Sequence, residues 1–261
     1  MSKYVFDQAW EAERVRLAGL ELGLDPGTIR HLEALHVGAG WRCWEIGGGG
    51  GSIAAWLCER VGDRGHVLAT DLETTFLENL PYANIAVRRH DIVADDLPEG
   101  QFDLVHARWV LHWLPAREQA LTRMIAALRP HGWLLVEEPD FVTPFHACAS
   151  KTVRKVVTAG IRALEALSGA QSEYGRRLLD DVCARSLVDV EALGRVLMMR
   201  GGSPLSAHLR LSIAKVRTTI VDSGAVTLEE VEEALTRLDD PGFASMSAIT
   251  MAVWGRRPPA A

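Results

Sequence analysis

The feature that most constrains the fold is a run of five glycines placed directly after a short apolar stretch. Residues 43–46 read as a buried strand, residues 47–51 as a tight turn, and residues 52–57 as the start of a helix. Residues without side chains let the backbone bend sharply and let a ligand approach the main chain closely. Free N–H groups at a helix start favour a polar or anionic group. Glu45, two residues before the first glycine, adds a carboxylate that suits a ligand with a cationic amino group.

Strands and helices alternate from Trp41 to Val136, which predicts right-handed crossovers and a parallel sheet covered on both faces. Residues 8–35 are predicted to be helical, with a break at 24–27 caused by Pro26 and Gly27. After Pro139 the pattern changes. It predicts further helices and two more strands: helices at 145–168, 175–186, 204–221 and 227–238, a strand at 188–199 with a buried end at 196–199, and a last strand at 244–254.

The spacing Glu45-x-Gly47-x-Gly49-x-Gly51 resembles the first motif of the class I S-adenosylmethionine (SAM) dependent methyltransferases. The resemblance continues in order over about the first half of the chain. Asp71 ends a second apolar run 24 residues after Gly47, and Asp91 follows a third run. Residues 102–107 resemble the family's fourth strand, and residues 128–137 resemble the helix end and the fifth strand.

The resemblance implies an α/β fold: a seven-stranded, mostly parallel, doubly wound sheet with an antiparallel last strand and an inserted helical lid. Residues 1–140 would hold the N-terminal helices and the Rossmann-like SAM-binding core. Residues 141–261 would supply the lid, at about 141–172 and 203–240, and the last two strands of the same sheet, so that the chain is a single domain overall. Ligands of such open sheets bind at the carboxyl ends of the strands.

The resemblance also assigns roles at the cofactor site. Glu45 would hold the SAM amino group, Asp71 both ribose hydroxyls and Asp91 the adenine amino group. The other expected cofactor-binding residues are Arg16, Gly47, Gly49, Gly51, Leu72, Ile92 and Ala107. Leu72 and Ile92 would flank the adenine, and Arg16 would reach the SAM carboxylate. Simpler interpretations stay open, because an acid at a strand end can also face solvent or cap a helix, and Arg16 can be a surface charge.

The residues that would perform catalysis are less defined. His112 is the candidate general base, weighed against a histidine that is merely buried and hydrogen-bonded or exposed. Residues 107–113 lack the Asn/Asp-Pro-Pro-Tyr type of motif, which makes a nucleobase amine or a glutamine a poor acceptor. The later half resembles the small-molecule branch of the family. It implies methyl transfer to oxygen, nitrogen or an activated carbon of a small aromatic or apolar metabolite in secondary metabolism. Residues 137–140 form an acidic turn after the fifth strand, and no metal site is predicted.

The amino-acid composition limits which binding partners the protein is expected to have. The net charge of −6 gives no basic surface for nucleic acid. The N-terminus has no signal-peptide pattern and no apolar run is long enough to span a membrane. Four cysteines without a C-x-x-C pair favour reduced thiols in a cytoplasm. We therefore expect a cytoplasmic monomer or homodimer that acts on a small molecule.

Two other functions stay open. Gly49-x-Gly51-x-x-Ala54 also meets the looser dinucleotide fingerprint, which would suit an NAD(P)-dependent oxidoreductase. A SAM-binding protein without methyl-transfer activity is the second alternative.

Overall fold

The computed structural model describes residue 6, residues 8–96 and residues 99–259. Helices and strands alternate through its first half, as the sequence predicts. The helices are α1 (Glu13–Ala34), α2 (Ser52–Val61), α3 (Arg117–Ala127), α4 (Val142–His146), α5 (Lys151–Ser168), α6 (Gly175–Cys183), α7 (Pro204–Lys215), α8 (Arg217–Asp222) and α9 (Leu228–Asp239). The strands are β1 (Arg42–Ile46), β2 (His66–Asp71), β3 (Ile85–Arg89), β4 (Phe102–Arg108), β5 (Leu128–Asp140), β6 (Val188–Arg195), β7 (Met198–Arg200), β8 (Ala244–Met246) and β9 (Ile249–Arg256).

Seven of these strands form one sheet in the order β3-β2-β1-β4-β5-β9-β6. The first five pair in parallel, and β9 is antiparallel to both of its neighbours. The predicted seven-stranded sheet with an antiparallel last strand is therefore confirmed. The order reverses at β1, whose neighbours are β2 and β4, so the carboxyl ends of these strands border the crevice where open α/β sheets bind ligands.

Both faces of the sheet are covered, because successive side chains of a strand point to opposite faces. Cys43, Leu104 and Leu135 face α1 and α2, in one apolar core. Trp44 and Val105, one residue further along their strands, face α3 and α6 in another. Burial on both sides explains why these strands are continuous apolar runs.

The helices outside the sheet have a core of their own. Val156 of α5, Ile213 of α7 and Val231 of α9 belong to one buried cluster, separate from those of the sheet. Helix α9 begins with a capping box in which Thr227 accepts from the Glu230 backbone N–H. This group, α4, α5 and α7 to α9, is called the lid below. It packs closely on α1, since a Cβ placed on Gly19 would lie 2.3 Å from the carbonyl oxygen of Pro204.

The predicted break at residues 24–27 is wrong, because helix α1 runs through this segment without interruption and contains Pro26. Tertiary contacts hold this stretch in the helix despite the hydrogen bond that proline removes. The Leu24 carbonyl accepts from Arg195, and the Thr28 side chain bonds to Glu137. Those partners lie more than a hundred positions away, so the local pattern could not show them.

Three further predictions were wrong in detail. The strand expected at 188–199 divides into β6 and β7, and residues 196 and 198 are exposed rather than buried. The last strand expected at 244–254 is two strands, of which β8 pairs with β7 in a separate two-stranded sheet. Residues 137–140 belong to β5 and are not a turn, because β9 pairs with them up to Asp140.

The helix expected at 204–221 is two helices, α7 and α8, that meet at Val216. Within the described part of the chain, no helix combines the length and the apolar character that a membrane crossing requires.

Candidate functional site

A cavity of about 480 Å³ opens at the carboxyl ends of β1, β2 and β4. Its floor is the sheet and the glycine loop, one wall is α1, and the opposite wall is the lid. The volume lies within the usual range of about 300–1,000 Å³ for small-molecule sites. The cavity has a polar half over the strand ends and an apolar half under the lid.

The glycine loop forms the floor of the polar half. Gly47 and Gly49 have φ of +67° and +54°, in the left-handed region that glycine adopts without steric cost. A Cβ on Gly47 would also lie 2.3 Å from Cγ2 of Val110. The backbone of residues 47–50 consequently lines the cavity directly. Such a floor fits a flat, polar ligand that contacts the main chain.

Asp71 ends β2 beside this loop. Its Oδ2 accepts the Gly49 backbone N–H at 2.9 Å, and its Oδ1 accepts the Glu73 N–H at 3.2 Å. Burial raises the pKa of Asp71 and outweighs these hydrogen bonds. A ligand that donates hydroxyl protons to the carboxylate would offset that burial. Asp71 thus both holds the loop and faces the cavity.

Asp91 follows β3 and lines the same half of the cavity. Its Oδ1 accepts the Val93 backbone N–H at 2.8 Å, which fixes the turn after the strand. Ile92 beside it is 5% exposed, whereas Leu72 across the cavity is 42% exposed. Both apolar side chains line the cavity next to the acids Asp71 and Asp91.

Glu45 is held in place by a row of buried, hydrogen-bonded side chains. His106, its neighbour on β4, donates from Nδ1 to Glu45 Oε2 at 2.5 Å and from Nε2 to Glu137 Oε2 at 3.4 Å. Burial alone would lower the pKa of His106, but the Glu45 and Glu137 carboxylates outweigh it and raise the pKa to about 9. His106 is therefore an imidazolium at neutral pH.

The chain of polar contacts continues to α1. Thr28 donates to Glu137 Oε2 at 2.5 Å and accepts from Arg108 Nη1 at 2.9 Å. Arg108 Nη2 donates to Asp25 Oδ1 at 2.8 Å. Burial would raise the pKa of Glu137, but the His106 hydrogen bond and charge, with those of Arg108 and Thr28, lower it. The network fixes α1 against the strand ends that form the cavity floor.

The N-terminal half of α1 covers the polar half of the cavity. Arg16 is 5% exposed, pairs with Glu13 through two contacts of 2.7 Å and lies 4.1 Å from the Phe6 ring centroid. Glu21 pairs with Arg14 at 3.0 Å and lies over Gly50. Both Arg16 and Glu21 line the cavity, so this helix presents charges of both signs to a ligand.

Aromatic rings surround the other half. Trp109 has an unusual φ of +58° for so bulky a side chain, which turns the chain sharply after β4. Its ring packs edge-on against Phe141 at 5.1 Å and His208 at 6.1 Å. His208 donates from Nδ1 to the Arg16 carbonyl at 2.9 Å. The lid completes this half with Phe145, Val157, Ile161, Leu164, Leu209 and Ile213.

His112 is fixed in the same wall by Glu138, which is fully buried. The Glu138 carboxylate accepts the backbone N–H groups of residues 110, 111 and 112 at 2.7–3.1 Å, and His112 Nδ1 at 2.9 Å. His112 Nε2 and Trp109 Nε1 are buried without a hydrogen-bond partner in the described part of the protein. Both residues line the cavity.

The structure brings most of the predicted site residues together at the cavity. Those that line it are Arg16, Glu45, Gly47, Gly49, Asp71, Leu72, Asp91, Ile92 and His112. Gly51 instead precedes α2 with φ of +92°, and Ala107 is fully buried in the core on the α3 side; neither is among the lining residues.

Sequence reasoning missed His106, His208 and Glu21, and it considered Glu138 only as one acid of a turn at 137–140 that could face the substrate. One signal was available for His106. A histidine inside the apolar run 104–107 was aligned with Glu45 once β1 and β4 were taken as neighbours.

Comparison with known proteins gives a family. A family model described as "Methyltransferase domain" matches residues 44–136, which include the glycine loop, Asp71, Asp91 and His112. The chain is 31% identical over 186 residues to "Methyltransferase str3" of Strobilurus tenacellus. That alignment covers 69% of this chain and 66% of the relative, so about a third of the relative lies outside it.

Solved structures share the fold at low identity. The YcgJ protein from Bacillus subtilis superposes with a TM-score of 0.57 at 14% identity, over 88% of this chain and all of that chain. A phosphoethanolamine N-methyltransferase 2 from Haemonchus contortus, solved with phosphomonomethylethanolamine and S-adenosylhomocysteine, superposes with a TM-score of 0.54 at 15% identity. That match covers 85% of this chain and 49% of the other. At these identities the likeness concerns the fold alone.

Proposed function

The chain belongs to the class I SAM-dependent methyltransferases, and we propose that it transfers the methyl group of SAM to a small, apolar or aromatic metabolite. The observation that carries the proposal is the two-part cavity. One half combines a glycine floor with carboxylates on three neighbouring strands, and the other half is lined by aromatic rings and lid side chains.

The residues of the polar half fit the cofactor. Glu45, held by its hydrogen bond from His106, is the side chain that the resemblance assigns to the SAM amino group. Asp71 supplies acceptors for ribose hydroxyls, and Asp91 an acceptor for the adenine amino group. Arg16 is the cation assigned to the SAM carboxylate. Bound SAM would supply an electrophilic methyl group on a sulfonium, and the protein would align the acceptor with it and exclude water.

The apolar half supports a small acceptor with an apolar or aromatic body. Trp109, Phe141 and His208 give ring edges and faces for packing. The proposal includes action as a monomer or homodimer in the cytoplasm, without a nucleic-acid partner, which the acidic net charge of −6 supports. Secondary metabolism is the expected source of the acceptor.

Calorimetry tests the cofactor assignment. We expect both SAM and S-adenosylhomocysteine to bind, and to raise stability by about 2.7 kcal/mol at a hundredfold excess over Kd. Binding of NAD(H) with no heat from either SAM compound would instead identify an oxidoreductase. Mass spectrometry with SAM and a panel of small aromatic metabolites then separates a methyltransferase from a SAM-binding protein without transfer activity.

Asp71→Ala is the sharpest variant for this site. Removal of an acceptor for two ribose hydroxyls should weaken S-adenosylhomocysteine at least tenfold, since a hydrogen bond to a charged group contributes about 1.5–3 kcal/mol. The exposed acid Asp63 offers a matched control, and Asp63→Ala should leave Kd unchanged. Unchanged affinity in a folded Asp71→Ala protein would mean that Asp71 only supports the loop.

A further inference from the structure

His112 and Glu138 form a dyad that the transfer of a methyl group does not by itself require. Glu138 is fully buried and accepts four hydrogen bonds, three from backbone N–H groups and one from His112. A buried carboxylate is costly unless it is fully satisfied. The arrangement therefore has one well-defined result, which is a fixed orientation of the His112 ring.

The dyad also fixes the tautomer. Glu138 Oε2 already acts as an acceptor for the His112 backbone N–H, so the 2.9 Å contact with the same oxygen places the ring proton on His112 Nδ1. In the neutral ring Nε2 then carries a lone pair. Nε2 is buried and has no hydrogen-bond partner in the described part of the protein, and the residue lines the cavity. A buried acceptor of this kind is complementary to a ligand that donates a proton.

A donor without a partner lies close to it. Trp109 Nε1–H is buried and unsatisfied within the same described residues, and its ring centroid is 6.3 Å from that of His112. A hydroxyl both donates and accepts, so it has the two functions that His112 Nε2 and Trp109 Nε1–H require. A tertiary amine can accept from Trp109 Nε1–H but has no proton for His112 Nε2, and a bare ring carbon suits neither atom.

His208, which also lines the cavity, does not suit the same role. His208 Nδ1 donates to the Arg16 carbonyl, which also leaves its Nε2 as the acceptor. Burial, followed by the nearby Arg16 charge, lowers its pKa to about 3, so it is a very weak base. His112 has a carboxylate behind it instead, and a carboxylate stabilises the imidazolium that proton transfer creates.

Building on the proposed function, we propose that the acceptor carries an ionisable hydroxyl on an aromatic or apolar body, and that His112 Nε2 takes the proton of that hydroxyl as its oxygen is methylated. The acceptor O–H bond breaks and its proton goes to Nε2. The oxygen lone pair forms the new bond to the methyl carbon, and the electrons of the broken carbon–sulfur bond stay on sulfur. The products are a methyl ether, S-adenosylhomocysteine and one proton that His112 returns to water.

Glu138 is a positioning residue in this scheme, because it acts through His112 and lies behind it. Trp109 orients the hydroxyl through its Nε1–H. General base catalysis contributes typically about 10²–10⁴-fold to a rate, and this range sets the size of effect to look for.

A nitrogen-NMR experiment tests the dyad without any acceptor. Protein labelled with ¹⁵N in its histidines, with S-adenosylhomocysteine bound at pH 7.5, should show a His112 ring protonated at Nδ1 and bare at Nε2. Loss of that signal in His112→Gln assigns it. An Nε2–H tautomer or a doubly protonated ring would overturn the base assignment, while calorimetry with S-adenosylhomocysteine reports separately on the cofactor site.

The acceptor class is tested by mass spectrometry on matched pairs: simple phenols, each beside its own methyl ether. We expect products only from the compounds with a free hydroxyl, with the new methyl on oxygen. His112→Gln should lower kcat at least 100-fold with S-adenosylhomocysteine affinity within twofold. His146→Gln, at an exposed lid histidine, should keep the wild-type rate.

Trp109→Phe, which keeps an aromatic ring and removes the donor, should raise KM about fivefold to tenfold with less effect on kcat. Methylation on carbon, equal reaction of the blocked compounds, or more than a third of the wild-type rate in His112→Gln would overturn the proposal. If S-adenosylhomocysteine binds and no free phenol reacts, the hydroxyl assignment is wrong and the cofactor assignment stands.

Discussion

The two halves of the cavity are built in different ways. The polar half rests on strand ends and backbone, and its carboxylates belong to three adjacent parallel strands. The apolar half is assembled from the turn after β4 and from the lid, whose helices share their own buried cluster. Changes in lid side chains can therefore alter the acceptor while leaving the strand ends, and the cofactor site on them, as they are. His106, the partner of Glu45 in the polar half, and His208 in the apolar half have pKa shifts of opposite sign.

The largest change in stability is expected at alkaline pH, and it arises in the polar half of the cavity. The pKa of His106 is about 9 in the folded protein and 6.5 as the ordinary value, so between these pH values the folded state holds a proton that the unfolded state has lost. The free energy of unfolding should therefore fall from pH 6.5 to pH 9, by on the order of 3 kcal/mol. Urea unfolding at several pH values measures it.

His106→Gln is the comparison protein for that measurement. It should be less stable at pH 6.5 and should show a flatter dependence from pH 6.5 to pH 9. An equally steep decline in the variant would assign the alkaline loss to other groups.

A smaller effect is expected for the link between the sheet and α1. Thr28→Val removes the donor to Glu137 and the acceptor for Arg108. Because a buried carboxylate and a guanidinium each lose a partner, the free energy of unfolding should fall by about 2 kcal/mol. Thr218→Val, on an exposed face of α8, should change it by less than about 0.5 kcal/mol. Equal effects of the two variants would show that the network does not stabilise α1.

The smallest change in stability is a loss at acid pH, and it arises in the apolar half of the cavity. Burial, with the Arg16 charge, lowers the pKa of His208 to about 3, so below pH 6.5 the unfolded state binds a proton that the folded state does not. Stability should fall by about 1 kcal/mol between pH 6.5 and 5.5 through this group. His208→Gln should lose that part of the acid sensitivity, while His146→Gln should retain it. Identical acid profiles of wild type and His208→Gln would contradict the prediction.

The difference between the polar half and the apolar half also explains which parts of the site could be predicted from the sequence. Glu45, Asp71 and Asp91 stand at the ends of apolar runs, and parallel strands bring such ends to one edge, so a local pattern was enough to group them. The seven-stranded sheet followed from the alternation of strands and helices and from the family resemblance. The prediction of a helix break at 24–27 was wrong because Arg195 and Glu137, distant in sequence, hold that segment.

The apolar half could not be predicted in the same way. His112 and Glu138 are 26 residues apart, and their pairing depends on the register between β4 and β5 and on the turn that follows β4. His208 and Arg16 are 192 residues apart and meet only because α7 packs on α1. No spacing rule connects such residues, although His112 itself was identified as a candidate.

The unbroken course of α1 has a consequence for synthesis of the chain. The helix leaves the ribosome before the sheet, yet the groups that hold it come much later: Glu137 is 109 residues beyond Thr28, Arg195 is 171 beyond Leu24, and His208 is 192 beyond Arg16. Contacts between residues so distant in sequence form slowly. A nascent chain that has completed β1 to β5 therefore has Glu137 to hold α1 but lacks the contacts of Arg195 and His208. Full affinity for a nucleoside ligand should appear only when translation has passed α7, because a ribosome stalled before residue 204 would display a cavity whose N-terminal helix lacks its contact with His208.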